Sequence, residues 1–354
     1  MIYLKEKRED LLKLERENVF DRLRFTVVVC GEEDHAFSFF DSQNNRGVTL
    51  SVDDYLKAYH LRAVSLEAMQ ERLAQYWEGV SLLSQKMGNE ELGWSYLFYK
   101  VLFRARRWRG NECVLVDDKE KVLEVFQKDT RRNLENDTYP LFQNKSNQRF
   151  RKVVVTRSGE ACLVPELTGK EGVELPYCLR QPLYKGYNFF EYARKYCSVY
   201  QLLFGEECER RGELAVAIDF YEKVYTNDMS VFLRHFMKLC LVMYYDVFGE
   251  EGIERAVQYF DYFIGSIRLE MQYVKKEAVK NSLIWRGHNL LDVIAGAYIP
   301  EEVFHFIKCE EKCKEIYNRE DVPEKDGVRL RYKKRVLAYY KEEGGLQNRL
   351  SWIK

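Results

Sequence analysis

Proline is rare along this chain, and its placement limits the possible folds more than any other single feature. The 354 residues include six prolines, and four of these lie between residues 137 and 186. Proline ends or kinks an α-helix because its ring removes a backbone donor and clashes with the preceding turn. The 25 tyrosines and 21 phenylalanines supply large side chains for packing between the helices that the rest of the chain can form. We therefore expect a mainly α protein with a loop-rich middle insertion.

Hydrophobic periodicity divides the chain into four segments. Residues 1–64 combine helical patterns with a strand pattern, in which Leu23, Phe25, Val27 and Val29 alternate with other residues, and this mixture predicts a truncated α/β fragment. Residues 65–136 form a helical segment, residues 137–186 are irregular with patterns for short strands, and residues 187–354 form a C-terminal helical domain.

Helix boundaries are predicted most clearly in the front half of the chain. Ser51, followed three residues later by Asp54, is a capping signal for a helix that starts immediately after Ser51. Further helices are expected over 66–87, 90–108 and 117–136. The sequence GEEGIERA near residue 249 is expected to end one helix and begin the next.

Charge, hydropathy and cysteine usage indicate a protein of the cytoplasm. The chain has 56 basic and 56 acidic residues, so its net charge favours no particular partner. No apolar run reaches the roughly 18 residues that a membrane span requires. The nine cysteines are scattered without the spacing of a disulfide framework, which is typical of reduced thiols.

Residues 39–62, FFDSQNNRGVTLSVDDYLKAYHLR, have a distinctive spacing of polar and apolar positions. The stretch resembles a motif of the GmrSD-type restriction-endonuclease N-terminal family, also called domain-of-unknown-function family 262. Similarity to that family is strongest over 20–62 and 181–308. Tyr55 stands where a leucine is usual, and the residues that match are Phe40, Asn44, Arg46, Gly47, Leu50, Asp54, Leu56 and Lys57.

The resemblance implies a ParB-like and sulfiredoxin-like α/β fold that is associated with nucleotide hydrolysis, together with a helical rear portion. The family's Gln-Arg and Asp-Gly-Gln-Gln-Arg motifs, which precede this stretch, are absent, and none of the five histidines has the context of a His-Asn-His nuclease. The resemblance therefore implies a noncatalytic module, related to modification-dependent restriction and phage defence, that binds DNA or a protein partner. No cofactor is expected for this chain alone.

Two other interpretations remain open. The chain could be half of a split NTPase, in which an upstream-encoded chain supplies the missing motifs and a nucleotide binds to the completed site. It could also be an autonomous helical protein-interaction module. No membrane partner is expected, and no catalytic residue is predicted.

The Asn-Asn-Arg-Gly loop is the candidate cofactor-binding site. Backbone N–H groups, the Arg46 guanidinium and the start of the following helix could meet a phosphate, with Lys57 further along. The alternative is structural, because Asn44 and Gly47 suit the left-handed conformations of a tight loop.

Two basic runs are candidate nucleic-acid-binding sites. Arginine beside an aromatic residue is a composition that contacts phosphates and stacks on bases. The first run has no acid between Glu91 and Glu112, and its candidates are Lys100, Arg104, Arg106, Arg107, Trp108 and Arg109. The second run supplies Arg149, Arg151 and Lys152. The alternative for both runs is a solvated face that pairs with acids from elsewhere.

His305, Cys309 and Cys313 are spaced four apart, as residues on one face of a helix are. Eight residues of helix rise about 12 Å, which is too far for one metal ion to be held by all three side chains. The spacing therefore predicts a buried stripe and no metal site.

Overall fold

The computed structural model describes residues 29, 50–110, 118–127, 142, 151–165, 172–205, 210–226, 229–285, 288–319 and 327–353. The chain divides into two compact units, Met1–Leu50 and Ser51–Lys354, and the helices and strands given below belong to the second. Residues 23–28 of the predicted strand lie outside the described residues. So do Asn44, Arg46 and Gly47 of the candidate loop.

The front part of the second unit is built from short helices. They are α1 (Val52–Leu61), α2 (Glu67–Lys86), a 3₁₀ turn (Glu90–Leu92), α3 (Trp94–Tyr96), a π-helical segment (Leu97–Leu102), α4 (Phe103–Arg107) and α5 (Lys119–Gln127).

A two-stranded sheet of β1 (Arg151–Val155) and β2 (Ala161–Pro165) follows. The remaining elements are α6 (Tyr187–Phe204), α7 (Gly212–Tyr225), α8 (Val231–Phe248), α9 (Ile253–Glu270), α10 (Lys276–Trp285), α11 (Leu290–Gly296), α12 (Pro300–Cys309), α13 (Glu311–Asn318), α14 (Val328–Tyr340) and a 3₁₀ turn (Arg349–Trp352). The prediction of a mainly α fold is confirmed.

The start of α1 follows from its capping residues. The Ser51 hydroxyl accepts a hydrogen bond from the Asp54 backbone N–H at 3.3 Å, and the Asp54 carboxylate accepts one from the Ser51 backbone N–H at 3.1 Å. This reciprocal pair satisfies two of the donors that a helix leaves unpaired at its N-terminus. The predicted capping box is confirmed, and α1 packs against α2 and α5.

The helix predicted over 90–108 is divided into four pieces. Asn89 accepts the Glu91 backbone N–H and starts the 3₁₀ turn, and Gly93 separates that turn from α3. Within the π segment the hydrogen bonds widen, and the Phe103 N–H reaches the carbonyl of Phe98. A π segment shifts the helical register, so the residues before it face differently from those after it.

Helices α8 and α9 form the centre of the core. Nearly every residue of α9 from Ile253 to Leu269 is buried, and α7, α8, α12 and α13 pack against it. The buried residues of α9 are mostly apolar, but they include the polar side chains of Gln258, Asp261 and Arg268. The link between α8 and α9 contains Gly249 and Gly252, both with positive φ, and the prediction that this sequence ends one helix and begins another is confirmed.

The hairpin of β1 and β2 lies in the predicted insertion. The strands are antiparallel, with Val153 opposite Leu163, and the predicted strand pair is confirmed. Val153, Val154 and Val155 are 66%, 47% and 67% exposed. An isolated two-stranded sheet is at best marginally stable in water.

Among the described residues no helix is both long enough and apolar enough to cross a membrane.

Candidate functional site

A cleft of about 530 Å³ lies between the 3₁₀ turn at Glu90, the following α3–π region and the first turns of α8. Its size falls within the range of about 300–1,000 Å³ that is usual for ligand pockets. The lining side chains are Glu90, Glu91, Ser95, Tyr96, Tyr99, Lys100, Val231 and His235. The lining therefore combines two glutamates, a lysine and a histidine with two tyrosines, a serine and a valine.

Glu91 connects the two sides of the cleft. One carboxylate oxygen lies 3.4 Å from Nε2 of His235, and the other lies 2.5 Å from Nζ of Lys238. His235 and Lys238 lie three residues apart on α8, so they face the same side of that helix. The pairing lowers the pKa of Glu91 to about 2, first through the His235 hydrogen bond and then through the Lys238 charge, against the opposing effect of burial.

Lys238 lies behind the cleft wall in an aromatic environment. Its side chain is 9% exposed, and its ammonium donates to the Tyr200 hydroxyl at 3.1 Å. The Phe204 ring centroid is 4.7 Å away, and the rings of Tyr96, Tyr200 and Tyr221 lie within 5.9 Å. Burial lowers the pKa of Lys238, and Glu91 opposes this effect by favouring the charged form. The aromatic faces and the carboxylate together compensate for a buried charge.

The sequence offered no local signal for this site. Glu91 and Lys238 are 147 residues apart, and neither belongs to a recognisable motif. Their proximity depends on the packing of the π segment against α8.

Lys57, the described member of the candidate cofactor site, forms an ion pair with Glu78 at 2.8 Å. Asp53 and Asp54 occupy the first turn of α1, and the Asp53 carboxylate also accepts a hydrogen bond from Ser95. The helix N-terminus that was expected to meet a phosphate therefore already carries two carboxylates, which oppose the approach of an anion.

Three residues of the first basic run point into the protein. Arg104 is 5% exposed, with its guanidinium 4.9 Å from the ring centroid of Trp108, which is 3% exposed. Arg106 donates from Nη1 to the carbonyls of Leu179 and Gln181, both at 2.8 Å. The Arg106 guanidinium thereby holds the loop before α6 against α4. Burial of Arg104 and Trp108 removes them from the surface that a nucleic acid could contact.

The other members of the basic runs are dispersed. Arg107 and Arg109 are exposed at the end of α4, while Lys100 is half-buried at the cleft. Arg151 and Lys152 belong to β1, but their side chains lie outside the described set, as does Arg149.

A third basic segment escaped the sequence analysis. Residues 327–341 contain no acid, and α14 presents exposed Arg331 and Lys334 with half-buried Lys333 and Arg335 beside them. The absence of acids that identified the first run could have identified this one. On the opposite side of α14, Tyr332 and Val336 are fully buried.

The predicted single face of His305, Cys309 and Cys313 is interrupted, because α12 ends at Cys309 and α13 begins at Glu311. Cys309 lies 3.4 Å from the His305 ring, whereas Cys313 is buried against Ser266. His305 and Cys309 are both exposed, so the expected buried stripe is wrong at these two positions. No group of three metal-binding side chains occurs within the described ranges.

A comparison with known protein families assigns the chain to a family. A family model described as a family of unknown function, DUF7834, matches residues 69–323, which is more than half of the chain. The chain belongs to the DUF7834 family. No curated protein and no solved structure matches it.

The DUF7834 match includes the cleft, the first basic run and the α8–α9 core. Helix α14 and the final 3₁₀ turn lie beyond its end. The cleft therefore lies inside the range that matches the family, whereas the basic surface of α14 lies outside it.

Proposed function

We propose that this member of DUF7834 is a noncatalytic binding module that binds DNA through the outward face of α14. The observation that carries the proposal is the acid-free stretch of residues 327–341. Its inner face is fixed to the core by Tyr332, so the basic residues on the outer face are held on a rigid helix. A fixed row of Lys and Arg is suited to the phosphates of a nucleic acid backbone.

The resemblance of residues 39–62 to the GmrSD-type family supports a role in restriction and phage defence. On this proposal the chain keeps one motif of that family and carries no NTPase or nuclease activity by itself. Sequence-independent phosphate contacts would serve such a module, because they hold a protein on DNA while another component supplies the chemistry.

Gel retardation of duplex DNA at several salt concentrations tests the proposal. Replacement of both Lys333 and Lys334 by glutamine removes two phosphate contacts, so the slope of log affinity against log salt should fall in magnitude by about 2. The matched control replaces exposed Lys275 and Lys276, at the start of α10, and should leave the slope unchanged. Equal slopes for the wild type and the α14 variant would reject α14 as the DNA-binding surface.

A second candidate function, the binding of an upstream-encoded chain, is favoured by the exposed valines of β1. An extended segment of a partner could add a strand to the hairpin and cover these side chains. Co-expression with the neighbouring reading frame should then give a complex that Val153→Ser with Val155→Ser weakens. If the neighbouring chain also supplies the missing family motifs, NTP hydrolysis is expected only from the complex. Co-purification that the serine variant does not affect would remove β1 from the interface.

A further inference from the structure

Arg268 is a buried cation with no acidic partner in the described part of the chain. It lies in the last turn of α9 and is 3% exposed. Its Nη2 donates to the backbone carbonyls of Met271 and Gln272, and its Nε makes no hydrogen bond. Carbonyl groups accept hydrogen bonds but carry no full negative charge, so these contacts do not neutralise the guanidinium.

A second guanidinium lies beside the first. Arg329, in the first turn of α14, donates from Nη2 to the carbonyl of Glu270 at 2.9 Å, next to the carbonyls that Arg268 uses. The Glu270 carboxylate itself pairs with Lys312 at 3.0 Å. The pKa of Arg268 is lowered to about 10, first by burial and then by the positive charge of Arg329. Two like charges are thus held together at the end of α9, where the helix dipole offsets only about half a unit of charge.

The first turn of α14 adds backbone donors to the same place. Gly327, which precedes the helix, has no side chain to cap it, and the first turn contains no acidic residue. The N–H groups at a helix N-terminus lack partners within the helix, and they bind phosphate readily. Helix α14 has 13 residues, so its peptide dipoles add up at this end.

Both guanidinium groups lie within reach of solvent. Arg329 is half-buried, and Gln272 and Tyr273, in the segment that follows α9, are exposed. The sealed and unpaired atoms include Nε of each arginine but not Nη1 of either. Because Nη1 makes no hydrogen bond to a described residue, it is the donor through which each arginine reaches solvent.

We propose that Arg268, Arg329 and the first turn of α14 bind a dianionic phosphate group, such as that of inorganic phosphate or of a phosphate monoester. Its two negative charges match the two guanidinium groups, whereas a carboxylate neutralises only one of them. The planar, forked donors of arginine suit the oxygens of such a group. This site goes beyond the DNA-binding surface proposed on the outward face of α14 and does not depend on it.

Thermal unfolding in millimolar phosphate, compared with acetate and with chloride at equal ionic strength, is the first measurement. A ligand that binds only the folded state raises the unfolding temperature by mass action. The rise should occur in phosphate and be absent in acetate. No rise in phosphate would overturn the proposal, because the two arginines would then only cap the last carbonyls of α9. An equal rise in acetate would overturn the requirement for a dianion.

Calorimetry with inorganic phosphate tests the two arginines. Arg268→Gln and Arg329→Gln should each weaken binding by at least about tenfold, because each removes a charge-assisted contact. Arg106→Gln is the matched control, since Arg106 also donates to two backbone carbonyls but belongs to α4, and it should bind phosphate as the wild type does. Circular dichroism verifies that the variants fold, and half-buried Arg329 is the more tolerant position. Unchanged phosphate affinity in Arg329→Gln would reject the site.

Oligonucleotides distinguish the two sources of such a phosphate group. If a 5′-phosphorylated duplex binds more tightly than its 5′-hydroxyl counterpart, and Arg329→Gln abolishes the difference, the site receives the end of a DNA strand. Equal binding of the two duplexes, with inorganic phosphate still bound, assigns the site to a small phosphorylated molecule. The variant with Lys333→Gln and Lys334→Gln should still bind inorganic phosphate, so failure of the DNA proposal would leave this result unaffected.

Discussion

Gly265 illustrates how closely individual side chains pack around α9. A Cβ atom built at this position would overlap the hydroxyl of Tyr332 and lie 2.7 Å from that of Tyr317. Both tyrosines are fully buried, and the Tyr332 hydroxyl donates to Asp261 at 2.9 Å. The hydroxyl therefore cannot move away without losing a buried hydrogen bond. Glycine is required here for space, since its backbone is ordinary helix.

Gly265→Ala should destabilise the protein by about 2–3 kcal/mol, because overpacking forces Tyr332 off its position. Urea unfolding of the purified variant measures the change. Gly296→Ala is the matched control, since no atom lies within 4 Å of a Cβ built there and α11 ends at that residue. A Gly265→Ala variant as stable as the control would contradict the close approach.

Glu91 should make the stability of the protein dependent on pH in the acid range. Its pKa falls from 4.5 in an unperturbed carboxyl to about 2 in the folded protein, through His235 first and then Lys238. Because the folded-state pKa is the lower one, the stabilisation is fully present above pH 4.5 and is lost as the pH falls toward 2.

Glu91→Gln mimics the protonated carboxyl, so the variant should unfold at lower urea than the wild type at neutral pH. The difference between the two urea midpoints should shrink as the pH falls below 4.5. Glu120→Gln, on an exposed side chain, provides the control. A midpoint difference that is constant with pH would show that the charge of Glu91 does not contribute to the stability of the protein.

At the scale of elements, the 3₁₀ turn at the end of the described chain is attached to the middle of α9. The Arg349 guanidinium donates to Asp261 Oδ2 at 2.9 Å, and both side chains are completely buried. Tyr225 from α7 and Tyr332 from α14 donate to the other oxygen of Asp261. Burial alone would lower the pKa of Arg349, but Asp261 and nearby tyrosines raise it, so the guanidinium stays charged. Asp261 therefore joins four elements.

Removal of one partner from this ion pair leaves the other charge buried and unpaired, so Asp261→Asn and Arg349→Met should each cost about 3–5 kcal/mol. The double variant should lose much less than the sum of the two, because both members of one interaction have then gone. Urea unfolding of the wild type, the two single variants and the double variant measures the coupling between the two residues. Additive losses would indicate that the two residues act separately.

The helices were predictable to the extent that local pattern determines them. The Ser51 capping box and the helix expected over 66–87, found at Glu67–Lys86, depend on neighbouring residues alone. The division of the 90–108 helix and the break at Glu310 were missed, since tertiary packing can override helical spacing.

The candidate site was less predictable, because the composition of a segment shows which residues are charged but not whether their side chains point into the protein or into solvent. Arg106 and Arg107 are neighbours in one basic run, yet the first bonds to internal carbonyls and the second is exposed. The cleft escaped notice because Glu91, His235 and Lys238 come together only when distant segments pack.

At the scale of the whole molecule, the part of the chain that matches the family model contains a buried group whose partners lie after that part. Residues 69–323 include Asp261, but Tyr332 and Arg349, which satisfy it, lie beyond that range. Helix α14 also packs against α7 and α9. A chain that ends at residue 323 would therefore expose a buried carboxylate and an apolar face of the core.

Truncation after residue 323 should lower the free energy of unfolding and increase hydrogen exchange in α9 relative to the full chain. Asp261→Asn in the truncated chain should recover part of that loss, because it removes the unpaired charge. Hydrogen exchange followed by mass spectrometry measures both. Protection in α9 that equals that of the full chain would show that residues 324–354 do not stabilise the core.

The absorbance of the buried tyrosines should change when the protein unfolds at high pH. Burial raises the pKa of Tyr196, Tyr200, Tyr225 and Tyr332 well above 10.0. Their neutral phenols favour the folded state, and that preference is lost as the pH rises beyond 10.0, because the unfolded chain releases these protons more readily. In an alkaline titration, phenolate absorbance should thus rise gradually for exposed tyrosines and then abruptly when the core opens. The second step reports the opening directly, without an added dye or label.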